Sequence, residues 1–361
     1  MEEIQTNEQT IPQNIQQKEY SWGLDIIRII AMFLVVLVHS TTFYGFYDTG
    51  IISFSTFLAG FGRYIAFACV PLFLLLTGYL NTSKTPSFNY YIKLAKILIE
   101  FALCTLIINI VNNLFFQADG SEVITLSLPL YRWYINMYIG LFLLIPFLNY
   151  AYKAIPDNFK WGFIITLVLI FSNPQVSTYW TVGYPIMYYF IGMFIKDKQF
   201  KVNKIVLLLV ILFTCLFQIL LFCHPIHPLL YEVENHYNFG CLVISVAIFL
   251  LFYNIKSSNE KTIKNVKFLR IIANASIATF LISEIFESFT KQLFNKLTIS
   301  TFNEKLPYLA YLTPLKFILS VICGIIINFI ATKLYYLFNV IVNKIIQKRK
   351  KKQLDKNNET C

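Results

Sequence analysis

Residues 23–40 read GLDIIRIIAMFLVVLVHS, with ten uninterrupted apolar residues between Arg28 and His39. A helix apolar on every side needs an apolar surround, either a large core or a bilayer. Composition chooses between them. Of 361 residues, 57% are hydrophobic and only 14% are charged, against roughly 25% charged in an ordinary soluble domain. So few charges cannot coat a soluble surface. A soluble globular enzyme, a disordered chain and a disulfide scaffold are excluded on the same ground. The expected fold is all-α, a polytopic membrane helix bundle. At roughly 35 residues per span and loop there is room for about ten transmembrane helices.

Working outward, the apolar runs are 24–45, 56–80, 91–116, 132–152, 159–173, 180–196, 203–223, 237–255, 269–290 and 307–342. The fifth is short, the ninth is interrupted by polar residues, and the tenth is long enough to continue past the membrane face. This organisation predicts a polar cytoplasmic tail over 1–20, a transmembrane domain over 21–345 and a basic cytoplasmic tail over 346–361. No internal repeat or soluble domain stands out, and no cleavable signal peptide is expected before the first span.

The net charge of +11 is not that of a nucleic-acid binder, because the Lys and Arg residues sit in short clusters between apolar runs. With the N-terminus inside, the inner loops carry Lys84, Lys93 and Lys96, then Lys153 and Lys160. The clusters Lys196–Lys204 and Lys256–Arg270 follow, and the run 348–352 closes the chain. The outer loops hold Asp48, Asp119, Glu122, Glu232 and Glu234, and only the last outer loop is basic. The asymmetry predicts both termini in the cytoplasm. The basic tail then contacts anionic membrane lipid. Seven cysteines, an odd number with no CxxC pair, read as small buried hydrophobes rather than a metal site.

Ionisable groups inside spans are costly, so each is a candidate for function. Arg28 and His39 are eleven residues apart, three turns plus about 20°, which sets them on one helix face roughly 16 Å apart along the axis. Asp25 lies one turn before Arg28 and is placed to pair with it. An imidazole suits proton transfer near neutrality, and it equally suits a structural bond to a neighbouring helix. Arg63, Glu100, Glu284, Glu287 and Lys316 lie at comparable depth. Either they serve a site, or they pair with one another, Glu284 with Lys316 in particular. Asn109, Asn112, Asn113 and Asn136 suit interhelical hydrogen bonds. The outer stretch 224–238 holds His224, His227 and His236 with Glu232 and Glu234. Three readings stay open for it: a metal site, a contact for a substrate, or a plain loop.

Three stretches resemble the acyltransferase 3 family of integral membrane proteins. The first is the opening stretch, with Arg28 and His39. The second is RYIAFACVPLFLLLTGYL, similar to the family's Val-Pro-Leu-Phe-Phe leading to Ser-Gly-Tyr; Val70, Pro71, Leu72, Phe73, Gly78 and Tyr79 match, and Thr77 replaces Ser. The third is YRWYINMYIGLFLLIPFLN, an aromatic block with Trp133, Tyr134, Gly140, Leu141 and Pro146. Together they cover residues 23–149. Departures are Lys93 and Lys96 where the family is Arg-rich, and Ser283, with Glu284 beside it, where many members carry a late histidine.

The resemblance implies transfer of an acyl group, often acetyl, from cytoplasmic acyl-CoA to a hydroxyl of a cell-surface glycan or lipid-linked sugar. It implies an essential role for His39 and a role for Arg28 toward the donor. On this reading Arg28, Lys93 and Lys96 hold the coenzyme phosphates. His39 is the general base. Arg63, Asn136 or Trp133 supplies the oxyanion donor, and Glu284 belongs to the substrate site. No metal is expected, and the setting is the cell membrane. Two other classes compete: a secondary transporter or flippase of a polysaccharide precursor, and a non-catalytic partner in a polysaccharide export complex.

Overall fold

A computed structural model describes residues 19–49, 51, 53–115, 132–172, 180–223 and 235–358. The described chain is helical and forms no sheet; a single antiparallel bridge joins Tyr20 to Ser257. The helices are α1 (Trp22–Thr42), α2 (Phe46–Thr49), α3 (Phe54–Ala66), α4 (Cys69–Leu80), α5 (Phe88–Tyr91), α6 (Leu94–Phe115) and α7 (Arg132–Ala154). They continue with α8 (Lys160–Phe171), α9 (Tyr184–Lys198), α10 (Lys204–Cys223), α11 (Phe239–Phe252), α12 (Glu260–Asn274), α13 (Ser276–Lys296) and α14 (Phe302–Asn358).

Every apolar run coincides with a helical segment, but the lengths differ. Six segments are long and apolar enough to cross a membrane: 22–42, 54–80, 88–115, 132–154, 204–223 and 302–349. The interrupted ninth run is a bent pair, α12 and α13, turned 62° at Ala275, and it makes a seventh if counted as one span. The helices α8 and α11 have 12 and 14 residues, or about 18 and 21 Å, short of a hydrocarbon core of about 30 Å. The overlong tenth run is a 57-residue helix, about 85 Å long. The sequence places a basic tail at 346–361; α14 continues through it as helix to Asn358. The N-terminal tail, up to residue 18, lies outside the described residues.

The sequence dictates the centre of the bundle. Helix α1, apolar all round, packs against α3, α4, α11, α12, α13 and α14. Ile27, Ala31, Met32, Val35 and Val36 are buried on it. Its start is tied down by Tyr20 and Ser257, which exchange backbone bonds of 2.9 and 3.1 Å, and by Gly23 N–H to the Ile255 carbonyl at 3.0 Å. One close crossing is α4 on α9. A Cβ on Gly78 would run into the Tyr189 carbonyl, and one on Gly192 into the Leu75 carbonyl. Small residues at such a crossing let two backbones approach within dispersion range, which drives helix association in lipid.

Candidate functional site

Arg28 sits nearly two turns into α1, and Asp25 is its anchor. The carboxylate meets Arg28 Nη1 at 3.6 Å and Arg270 Nε of α12 at 3.7 Å. It also accepts the Tyr20 hydroxyl at 2.5 Å. Burial, and then the neighbouring carboxylate, push the Tyr20 phenol up to about 12, so it remains a donor. The expected i,i+3 pair therefore exists, and a second cation shares its acid. Arg28 borders a cavity of about 110 Å³ walled by Phe73, Thr77, Asn81, Tyr134, Tyr138, Ser276 and Phe280. Its walls belong to α1, α4, α7 and α13, and they mix aromatic faces with hydroxyl and amide groups.

His39 lies eleven residues on in the same unbroken helix, with its ring stacked on Phe43 at 5.4 Å and 21°. Lys316, His236, Arg63 and Lys291 are close enough to act on it electrostatically. His39 does not line the Arg28 cavity, whose walls include Tyr134, Phe73 and Phe280. Tyr134 packs edge-on against Phe280 at 5.0 Å and lies 6.1 Å from the Phe73 ring. A larger apolar groove, about 460 Å³, borders Phe33, Leu37, Ser40 and Thr41 on α1 together with α3 and α14. At 100° per residue, Leu37 and His39 are about 200° apart, so the groove lies behind the helix from the Arg28–His39 face.

The remaining candidates divide. Arg63 is 1% exposed and donates to Thr41 Oγ1 at 2.7 Å, to Thr42 Oγ1 at 3.0 Å and to the Tyr47 hydroxyl. Its guanidinium also lies 4.4 Å from the Tyr47 ring centre. The side chain thus latches α3 onto the ends of α1 and α2. Lys316 pairs with Glu287 at 2.7 Å, both buried; the sequence suggested Glu284, one residue-turn away on the same helix. Glu284 is half-buried on α13. Lys96 pairs with Glu100 at 3.4 Å and donates to Asn328 at 2.9 Å, while Lys93 is exposed between α5 and α6. Neither lysine lines the Arg28 cavity. Asn136 is exposed on α7.

Trp133, 44% exposed, stacks on a residue that sequence left among three alternatives. His236 lies parallel to the indole at 5.8 Å and 21°, and its Nδ1 is 3.1 Å from the Phe67 carbonyl. Burial pushes its imidazole down to about 4, so the ring is neutral near pH 7. One signal marks it in sequence. Asn238 caps α11 by accepting from Gly240 N at 2.7 Å, which sets His236 just ahead of an ordered helix start. His224 and His227, with Glu232 and Glu234, lie outside the described residues. Among the described residues no three His, Cys, Asp or Glu side chains group as metal ligands.

Residues 21–333 match the family model described as an acyltransferase domain, acyltransferase 3. No curated protein and no solved structure matches the chain. The match takes in α1 to α13 and most of the apolar length of α14. The chain is a helical membrane protein that belongs to the acyltransferase 3 family.

Proposed function

We propose that the protein moves an acyl group, acetyl in the simplest case, from cytoplasmic acyl-CoA to a hydroxyl of an extracytoplasmic sugar or lipid-linked sugar. On this reading both termini lie inside, on the strength of the charge asymmetry between loops. The observation that carries the reading is the pairing of Arg28 and His39 on one face of the central helix, Arg28 bordering a polar chamber and His39 three turns away. Arg28 attracts the donor's phosphate end, with Asp25 as the internal anion that occupies it beforehand. Lys93, exposed near the same end, adds positive charge. The pantetheine arm brings the thioester past Tyr134 toward His39.

His39 takes the proton from the acceptor hydroxyl as its oxygen attacks the thioester carbonyl. The C–S bond then breaks, and the thiolate leaves as coenzyme A after protonation. General-base help of this kind is worth about 10²–10⁴-fold. A hydrogen-bond donor at the developing oxyanion adds about 3 kcal/mol. Of the three oxyanion candidates, Arg63 is engaged with Thr41, Thr42 and Tyr47, which leaves Asn136 and Trp133, both exposed on α7. Excluding water protects the thioester from hydrolysis.

The test uses the protein in lipid nanodiscs with radiolabelled acetyl-CoA and an envelope glycan preparation. His39→Ala is expected to lower label transfer by at least 100-fold while donor binding persists. Equal transfer by both proteins removes His39 from the mechanism. Absence of donor binding by the wild type favours the transporter, for which the bend at Ala275 is the supporting feature.

A further inference from the structure

Pro71 stands in the first turn of α4. Proline has no N–H, so the carbonyl four residues earlier, that of Phe67, loses its helical donor. Phe67 is also where α3 gives way to α4. The released carbonyl is taken by His236 Nδ1 at 3.1 Å and by Cys241 Sγ at 3.3 Å. A carbonyl oxygen only accepts, so Nδ1 carries the proton. In a neutral ring the other nitrogen, Nε2, is then an acceptor. One face of the imidazole covers the Trp133 indole in parallel, and Phe67 and Tyr184 stand beside it at 5.8 and 6.2 Å. A histidine with fixed tautomer, fixed plane and an aromatic neighbour that is itself 44% exposed is a built recognition element, within electrostatic reach of His39.

We infer that His236 and Trp133 form the subsite that holds the pyranose ring of the acceptor. The aromatic face receives the apolar C–H face of the sugar, and His236 Nε2 accepts a hydrogen bond from one ring hydroxyl. That bond orients a neighbouring hydroxyl toward His39. The inference rests on the acyl-transfer reading and adds to it the residues that hold the sugar ring. A linear polyol has the hydroxyls but no ring face to stack, so it is a poor acceptor.

The experiment uses the full chain in nanodiscs, acetyl-CoA as donor, and two probes: a set of methyl hexopyranosides and sorbitol. His236→Asn keeps an N–H for the Phe67 carbonyl and loses the Nε2 acceptor. His236→Phe keeps the stack and loses both nitrogens. Both variants are expected to raise the apparent KM for the acylated pyranosides about tenfold, the loss of one hydrogen bond. The KM for acetyl-CoA and the thermal unfolding midpoint of His236→Asn stay at wild-type values. Sorbitol is acylated at under a tenth of the pyranoside rate. An unchanged pyranoside KM in His236→Asn overturns the subsite, as does equal acylation of sorbitol or acylation of no pyranoside by a wild type that acylates a glycan. Undiminished transfer by His39→Ala overturns the underlying reading instead, so the two failures are told apart.

Discussion

A buried ion pair lies close to the proposed base. Lys316 and Glu287 face each other at 2.7 Å with side chains 4% and 6% exposed, and the ammonium also lies 5.3 Å from the Tyr44 ring centre. Two charges removed from water are tolerable only together. Taking one away leaves the other uncompensated, which costs about 3–5 kcal/mol, whereas apolar replacement of both is often neutral. Glu287→Gln is therefore expected to lower the thermal unfolding midpoint in detergent by several degrees. The double variant Glu287→Gln with Lys316→Met is expected to regain most of that loss; failure to regain it means that the pair is not the source of the effect. The sequence showed both residues as out of place in lipid but not which acid meets the lysine. Glu284 and Glu287 are three residues apart and share one helix flank, and the rotation of α13 against α14 alone decides between them.

Prolines in the spans do recurring work at the scale of the element. Pro71 frees the Phe67 carbonyl for His236. Pro146 in α7 frees that of Phe142, which accepts the Tyr90 hydroxyl at 2.6 Å while the two rings stack at 4.5 Å. In lipid no water satisfies a released carbonyl, so a side chain from another helix must. Each of these two prolines thereby frees a carbonyl for a side chain from another segment. Pro146→Ala is expected to leave Tyr90 competing with a restored backbone N–H, and to speed hydrogen exchange near Tyr90 at the α5–α7 contact. Exchange slower than or equal to wild type would count against the device. This level was half legible. The three motif stretches place the prolines, the glycines and the apolar lengths, because composition and spacing are one-dimensional. Hydropathy measures apolar length and not where a helix stops, so the runs 159–173 and 237–255 do not reveal that α8 and α11 end at 12 and 14 residues. The break at Ala275 carries no Gly or Pro at its corner, so it left no local signal. His236 was obscured by its loop, since its partner, the Phe67 carbonyl, is 169 residues away.

At the scale of the whole molecule, His39 is not among the residues that line the Arg28 chamber. The Arg28 chamber holds about 110 Å³, whereas ligand sites ordinarily measure about 300–1,000 Å³. On the proposed reading a donor arm would need these walls to part, and the bent pair contributes to them. Ser276, Ile277 and Phe280, the first residues of α13 after the corner at Ala275, line the chamber. Across the corner, α12 reaches Asp25 through Arg270, and Asp25 also holds Arg28. On the proposed reading, a donor phosphate that draws Arg28 from Asp25 would loosen the same carboxylate cluster that Arg270 of α12 shares. Tyr134, Phe73 and Phe280 form an aromatic wall of that chamber, and on the proposed reading this wall would shield the thioester from water. Truncating it should remove that shield. Phe280→Ala is expected to admit water along with the donor, raising acetyl-CoA hydrolysis without acceptor at least several-fold while transfer per turnover falls. The readout is free coenzyme A released against label incorporated into glycan. Unchanged partition between hydrolysis and transfer would mean that the wall guards nothing, and that the donor reaches His39 by another route through the bundle.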